Sequence, residues 1–167
     1  VAAARSAGMN PERLAEIGPA VEKAIADKDM PGAVILVGHN GKIVYRQAFG
    51  NRALVPVVEK MTVDTIFDLA SLTKVVATTT SIMKLVEDGK LRLNDTVGKF
   101  FPEIQDERAK NVTIKELLTH TSGYAPDFDL KEKWSGRSGM LQALYKEKLR
   151  DLHGTQFVYS DINFEIL

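Results

Sequence analysis

The chain has 167 residues, which suits one domain or a large part of one. Its 22 basic and 22 acidic residues give a net charge of zero, which offers no support for binding to nucleic acid or to an anionic membrane surface. The lack of cysteine excludes disulfides and thiolate metal sites, and the three histidines are too far apart in sequence for a metal-ligand pattern.

The first predicted elements are a helix and a β-hairpin. Asn10–Pro11 is a typical helix start, and apolar residues at helical spacing continue until Pro31–Gly32 ends the helix. Two apolar runs without helical period follow at 33–38 and 42–49, and Asn40–Gly41 between them is a strong hairpin signal. We therefore predict that two antiparallel strands open the fold and that the helix packs its apolar stripe on their sheet.

The next segment, 52–60, has the composition of a loop and leads to a predicted helix over about 71–88. Ser71 lies in the first turn and Lys74 three residues later, so both side chains lie on neighbouring parts of one helix face. A hydroxyl and an amine placed in this way can share a proton. A lysine whose pKa is lowered by its surroundings can then act as the base that activates a serine nucleophile.

The Ser-x-x-Lys spacing alone is weak evidence, because Ser81–Lys84 matches it as well. On a helical wheel Ser71 falls inside a broad apolar arc, Lys74 lies at its edge and Lys84 lies on the polar side. We therefore expect Lys84 to be a solvated charge and Lys74 to be the lysine that burial perturbs. On this segment alone, a simple capping role for Ser71 is the alternative. The apolar arc, which we predict to be buried, consists of Leu72, Val75, Val76, Thr79, Ile82, Met83, Leu85 and Val86.

The rest of the chain predicts a mainly helical region over about 90–167. A capping box at 113–116 starts one helix, and apolar spacing predicts another over 138–149. The polar segment 126–139 is expected to be a surface excursion. Ser160–Asp161 can cap a last helix that starts near residue 162. No internal repeat, linker or low-complexity tract divides the chain, so we predict a single domain.

Several short motifs follow one another along almost the whole chain: Thr65-Ile66-Phe67, Ser71-Leu72-Thr73-Lys74, Glu87-Asp88-Gly89-Lys90-Leu91, Asn94-Asp95-Thr96-Val97, Phe101-Pro102-Glu103, Thr113-Ile114, Leu117-Leu118-Thr119-His120-Thr121-Ser122-Gly123 and Tyr159-Ser160-Asp161. In this order and spacing they resemble the serine β-lactamase/penicillin-binding-protein superfamily, on its class C and esterase-like branch. The resemblance implies an α+β fold, with an antiparallel sheet flanked by helices and a mainly helical region. Residues 1–167 would then form the N-terminal portion of one serine hydrolase domain, whose later sheet strands lie outside this chain.

The resemblance also implies roles for individual residues. Ser71 would be the acylated nucleophile, and Lys74 would lower the barrier for removal of its proton. Tyr159 matches the tyrosine of the family's Tyr-x-Asn motif, which passes that proton to the leaving group and helps to activate the deacylating water. The chemistry would need no metal and no organic cofactor.

Two residues carry open interpretations. Asp161 stands where the family usually has asparagine, and we interpret it mainly as a helix cap. It can alternatively contact Lys74, and a carboxylate there would hold the ammonium form and shift the base role towards Tyr159. His120 resembles the histidine of the family's Leu-x-His-x-Thr-Ser-Gly segment, and we interpret it as structural rather than catalytic.

The resemblance also indicates what lies outside the chain. In the family, the second oxyanion donor follows a Lys-Thr-Gly-like or His-x-Gly motif well C-terminal to the tyrosine motif, and no such motif occurs between Tyr159 and Leu167. We therefore expect a longer protein, a missing C-terminal segment as partner, and little or no hydrolase activity from this piece alone. A bacterial periplasmic or secreted location is expected, with a cytoplasmic one as the alternative. The small residues at 1–4 fit processing after export, and no apolar run reaches transmembrane length.

The sequence leaves the substrate open among carboxylic esters, β-lactams and D-Ala peptides, with an esterase or peptidase favoured over a dedicated antibiotic-degrading enzyme. An alternative from another functional class is a penicillin-recognising sensor that acylates without turnover, or an inactive scaffold of the same fold. The least informative alternative is a globular α/β domain in which the motifs are coincidental.

Overall fold

The structure is a computed structural model that describes residues 2–129, 131 and 133–167. The chain divides into two units, the first ending at Asp68 and the second beginning at Leu69. The segments predicted at 1–4 and 126–139 include Val1, Leu130 and Glu132, which lie outside the described residues.

The first unit joins helices to a small antiparallel sheet. Its elements in chain order are helices α1 (Ala2–Ser6), α2 (Pro11–Ala15) and α3 (Ile17–Ala26), and strands β1 (Gly32–His39), β2 (Lys42–Ala53) and β3 (Glu59–Lys60).

The hairpin predicted at Asn40–Gly41 is present between β1 and β2. Both turn residues have positive φ, 48° and 71°, as a two-residue turn that follows the strand twist requires. The strands pair antiparallel from Gly32 opposite Gly50 to His39 opposite Lys42. The prediction of a loop over 52–60 is wrong at both ends, because Arg52 and Ala53 belong to β2 and Glu59–Lys60 pairs with the end of that strand. Neither Glu59 nor Lys60 favours strands locally, so this pairing depends on the unusual length of β2.

The predicted N-terminal helix is present as two helices rather than one. The side chain of Asn10 caps α2 by accepting the N–H of Glu12 at 2.8 Å, as the sequence indicates. Helix α3 packs on the sheet, since a Cβ added at Gly18 would lie 3.8 Å from the ring of Phe49.

The second unit is helical and has its own core. Its elements are a π-helical segment (Lys74–Thr79) and helices α4 (Thr80–Glu87), α5 (Val97–Phe100), α6 (Glu107–Lys110), α7 (Ile114–Leu118), α8 (Gly136–Lys146) and α9 (Asp161–Ile166). The side chains least exposed in its core are Val97, Ile104, Ala109, Val112, Leu117, Tyr124, Ala125, Leu144 and Ile162. Among the described residues, no helix is both long enough and apolar enough to cross a membrane.

The helix predicted over 71–88 departs from α-helical geometry near its start. In the π-helical segment the backbone turn is widened, and the hydroxyls of Thr79 and Thr80 donate to the carbonyls of Lys74 and Val75, five residues earlier, at 2.7 and 3.3 Å. A wheel drawn at 100° per residue therefore misplaces the faces of this segment.

The prediction of a buried apolar arc is wrong for most of its members. Ile82 is buried and Val86 partly buried, but Leu72, Val75 and Val76 are at least 60% exposed, and Met83 and Leu85 are exposed as well. Among the described residues, only Ile82 of this helix belongs to the core cluster, with Val86 packed against it, so the core of the second unit covers only the last turns of the helix.

Helix α7 begins with the predicted capping box. The hydroxyl of Thr113 accepts the N–H of Glu116 at 3.2 Å, and the carboxylate of Glu116 accepts the N–H of Thr113 at 2.8 Å. Helices α5 and α6, of four residues each, carry too few turns for periodicity to indicate them. Helix α8 begins two residues before, and ends three residues before, the helix predicted over 138–149.

Candidate active site

Ser71 lies directly before the helix that carries Lys74. Ala70, the residue before it, has a left-handed backbone with φ of 43°. The N–H groups of Leu72, Thr73 and Lys74 donate to the carbonyls three residues earlier at 2.9 to 3.1 Å. This tight turn presents the side chain of Ser71 at the surface of the second unit, at the start of the helix.

The ammonium of Lys74 contacts three polar groups. It donates to the hydroxyl of Ser71 at 3.1 Å, lies 2.5 Å from a carboxylate oxygen of Asp161, and bonds to the phenol oxygen of Tyr159. An ammonium group has three N–H donors, so each donor has one partner. The structure therefore brings together the four site residues that the sequence indicates.

Asp161 and Lys74 form an ion pair that decides the charge of the lysine. The carboxylate of Asp161 raises the pKa of Lys74 above its ordinary value, against the opposing effect of burial, and Tyr159 adds to the increase. The expectation of a lysine whose pKa is lowered is therefore wrong. The structure instead has the contact with Asp161 that the sequence offered as the alternative, and Lys74 is a cation at neutral pH.

Tyr159 lies in the extended segment before α9, with its ring 45% exposed. Its hydroxyl bonds to Ser71 and to Lys74, and these two contacts lower the pKa of the phenol below the usual tyrosine value. The ammonium of Lys74 also lies 5.1 Å from the centre of the ring. The neighbouring ammonium of Lys74 thus favours the phenolate form of Tyr159.

The interpretation of Asp161 as a helix cap is wrong. Ser160 occupies the N-cap position of α9, and its hydroxyl donates instead to the carbonyl of Ala125 at 2.6 Å. The N–H of Asp161 donates to the carbonyl of Pro126 at 2.7 Å, which leaves its carboxylate facing Lys74. The loop before α8, rather than a side-chain cap, therefore fixes the start of α9.

The Thr-Ser-Gly turn after α7 is bonded to α9, the helix that begins at Asp161. The buried hydroxyl of Ser122 donates to the side chain of Asn163 on α9 at 2.5 Å. Gly123 has φ of 83°, and a Cβ there would lie 2.4 Å from the carbonyl of Asp151. Only glycine fits this position, since a side chain would meet both the strained backbone and a neighbouring main chain.

A cleft of about 370 Å³ opens in front of Ser71. The sequence patterns did not indicate Thr78, Asp127, Phe164 and Glu165, which also line this cleft. Phe164 and Glu165 lie three and four residues after Asp161, so helical periodicity from Asp161 would have found them. Burial, together with Asp127 and Asp161, raises the pKa of Glu165. The cleft is lined by Ala70, Ser71, Thr73, Lys74, Thr78, Asp127, Asp161, Phe164 and Glu165.

The second Ser-x-x-Lys match has a different environment. Lys84 is paired with Glu87 and Asp88, both at 2.8 Å, and its side chain is 62% exposed. It is a solvated charge, as predicted. No group of three or more potential metal ligands occurs within the described ranges.

The chain is similar to several known proteins. A family model described as Beta-lactamase matches residues 18–167. Protein flp of Staphylococcus aureus (strain COL) is 30% identical over 159 residues, which cover 91% of this chain and 32% of that protein. This chain is also similar to the crystal structure of a class C beta lactamase, with 28% identity and a TM-score of 0.73 over 87% of this chain and 40% of that one.

A D-alanine carboxypeptidase of Burkholderia cenocepacia is similar as well, with 26% identity and a TM-score of 0.72. That match covers 92% of this chain and 41% of the carboxypeptidase. The chain thus spans less than half the length of these relatives. Their structures confirm the α+β fold class that the sequence predicts.

Proposed function

The chain belongs to the beta-lactamase family. From this premise we propose that it forms part of a serine hydrolase that acts through an acyl-enzyme on an ester or amide. The observation that carries the proposal is the ammonium of Lys74, which contacts Ser71, Tyr159 and Asp161 beside one cleft. Nucleophilic acyl transfer uses a hydroxyl beside an acid–base group, and the positive charge of Lys74 can favour the base form of that group.

In the proposed reaction, Ser71 attacks the carbonyl carbon of the substrate while its proton passes to Tyr159. Lys74 is held as ammonium by Asp161, so it supplies charge that favours the phenolate rather than removing the proton itself. Tyr159 then gives the proton to the leaving group, which departs as alcohol or amine. Water then attacks the acyl carbonyl while its proton passes to the phenolate of Tyr159, and Tyr159 returns that proton to the oxygen of Ser71 as the acid leaves.

The tetrahedral oxyanion needs two donors, of which the N–H of Ser71 is the first. We propose that the second donor and the walls that select the substrate come from residues outside this chain, which covers 40% of the class C relative. Loss of one oxyanion donor typically costs about 3–4 kcal/mol of barrier. Residues 1–167 alone should therefore turn over little substrate, whether carboxylic ester, β-lactam or D-Ala peptide.

Covalent labelling tests the proposal. A fluorophosphonate probe should add one mass increment to the longer protein that contains this chain, and peptide mass spectrometry should place it on Ser71. The variant Ser71→Ala should lose the adduct, whereas Ser81→Ala, which removes the serine of the second match, should keep it. Labelling that persists in Ser71→Ala, or that moves to another residue, would contradict the assignment.

A penicillin-recognising sensor is the second candidate. Lys74, held as ammonium by Asp161, cannot itself take a proton from the deacylating water, which is compatible with a protein that is acylated and releases the acyl group slowly. The longer protein that contains this chain should be incubated with nitrocefin, p-nitrophenyl butyrate and penicillin. Turnover of any of them supports the enzyme, whereas a stable penicillin adduct on Ser71 without turnover supports the sensor. For either function we propose a periplasmic or secreted location.

A further inference from the structure

His120 holds the segment that carries Tyr159 at three points. Its carbonyl accepts the N–H of Val158 at 2.9 Å, and its ring Nδ1 accepts the N–H of Ser160 at 3.1 Å. Its imidazole also stacks on the ring of Tyr159, with 4.4 Å between the ring centres and 29° between the planes. One residue therefore binds both main-chain amides that flank Tyr159 and covers one face of its ring.

These hydrogen bonds determine which nitrogen of His120 carries the proton. A main-chain N–H such as that of Ser160 can only donate, so Nδ1 must be the unprotonated acceptor. The side-chain nitrogen of Asn163 also points at Nδ1, at 3.4 Å, while its oxygen accepts from Ser122. The neutral imidazole thus carries its proton on Nε2.

The surroundings of His120 disfavour a second proton. Burial lowers the pKa of the imidazole and the nearby ammonium of Lys74 lowers it further, whereas Asp161 acts in the opposite direction. The rings of Phe157 and Phe164 lie 5.8 and 5.2 Å from the imidazole and offer no charge to an imidazolium. A proton added at Nδ1 would also face the two donors that now point at it.

We propose that His120 is a positioning residue: its neutral imidazole clamps Tyr159 beside Ser71, and protonation at Nδ1 opens the clamp. The effect of the clamp on catalysis depends on the function proposed above, whereas the clamp itself depends only on contacts within the second unit. The backbone of His120 has a φ of 56°, a strained value for a non-glycine residue, and the contacts of its ring and carbonyl hold it there.

Two variants separate the acceptor from the ring. His120→Asn keeps an oxygen that can accept the N–H of Ser160, and asparagine tolerates a left-handed backbone. His120→Phe keeps an aromatic ring over Tyr159 and removes the acceptor. In ¹⁵N NMR of the unmodified protein at neutral pH, we expect Nδ1 of His120 without a proton and Nε2 with one. On acidification, the ring signals of Tyr159 should shift with the same midpoint as those of His120.

The alkaline titration of Tyr159 distinguishes positioning from a purely structural role. In His120→Phe the phenol should leave Ser71 and Lys74, and its pKa should return upward towards the ordinary 10.0, whereas His120→Asn should keep the lowered pKa. A proton on Nδ1, unmoved Tyr159 signals while His120 titrates, or an unchanged phenol pKa in His120→Phe would each overturn the proposal. If His120→Phe fails to fold by circular dichroism, the measurements on the unmodified protein still decide.

Labelling of Ser71 by fluorophosphonate adds a kinetic readout. We expect at least about a tenfold loss of labelling rate in His120→Phe, as for partial loss of acid–base help, and a smaller loss in His120→Asn. If the longer protein that contains this chain is not labelled at all, the proposed function fails, while the NMR results still decide whether the clamp exists.

Discussion

Replacement of Asp161 by asparagine removes the charge that holds Lys74 while keeping the size of the side chain. At 2.5 Å, two unit charges attract by about 1.7 kcal/mol in a water-like dielectric. Asp161 is 46% exposed and Lys74 15%, so solvent screening and the ordering of two side chains reduce the net value. We expect Asp161→Asn to lower the free energy of unfolding of the second unit by about 1 kcal/mol.

The pH dependence of this loss has a defined sign. Because Asp161 raises the folded-state pKa of Lys74, the stabilisation is present below the ordinary lysine value of 10.5 and is lost as the pH rises through the raised folded value. The difference between the two proteins should therefore be constant near neutral pH and should disappear at strongly alkaline pH. It should also shrink between about 0.01 M and about 1 M salt, because salt screens a half-exposed pair.

Urea unfolding followed by fluorescence of Trp134, the single tryptophan, measures this change in the second unit. Glu107→Gln is the matched control, since Glu107 pairs with Lys110 at 2.7 Å but is 80% exposed and should contribute nothing measurable. A loss in Asp161→Asn that is the same at both salt concentrations would show that packing, rather than charge, is responsible.

Three further predictions concern acid–base help, acid stability and the core. Tyr159→Phe should slow fluorophosphonate labelling of Ser71 by roughly 10²–10⁴ while the protein stays folded, and an unchanged rate would remove Tyr159 from the mechanism. Burial raises the pKa of Glu116, but hydrogen bonds from His153 and the start of α7 lower it overall, so its stabilisation is present above the ordinary 4.5 and lost as the pH falls. Glu116→Gln should therefore be less stable at pH 7 but lose less on acidification in urea unfolding, and equal acid losses would contradict this. Leu144→Ala, at a fully buried position, should cost about 2–5 kcal/mol in the same assay, and a cost under about 1 kcal/mol would mean that the core collapses around the gap.

The parts of the fold that local chemistry specifies could be predicted from the sequence. Asn40–Gly41 supplies the two positive φ angles that the hairpin needs, and Asn10 and Thr113 supply caps within three residues of their partners. Each of these signals is complete within a few neighbouring residues. Short strand β3 could not be predicted, because neither Glu59 nor Lys60 favours a strand by itself and the strand exists only through pairing with Asn51 and Ala53 of β2.

At the candidate site too, local features could be predicted and long-range contacts could not. Ser71 and Lys74 could be paired from their spacing, but the protonation state of Lys74 depends on Asp161, which is far away in sequence. The sequence could only leave two interpretations of Asp161 open, since a residue before a helix can cap it or face a partner. The hydrogen bonds of Ser160 and Asp161 to the loop after Ala125 decided between them, and no local pattern encodes those bonds.

Backbone strain gives an independent reason to look at this region. Four non-glycine residues in the described ranges have positive φ, and two of them, Ala70 and His120, adjoin Ser71 and Tyr159. The π-helical segment that begins at Lys74 is a third irregularity in the same place. Such features cost free energy and persist where the surrounding structure requires them, which is most often at functional sites. A regular helical wheel misplaces the faces of residues 74–79 because their backbone is π-helical, and this irregular backbone lies where Ser71, Lys74 and Tyr159 meet.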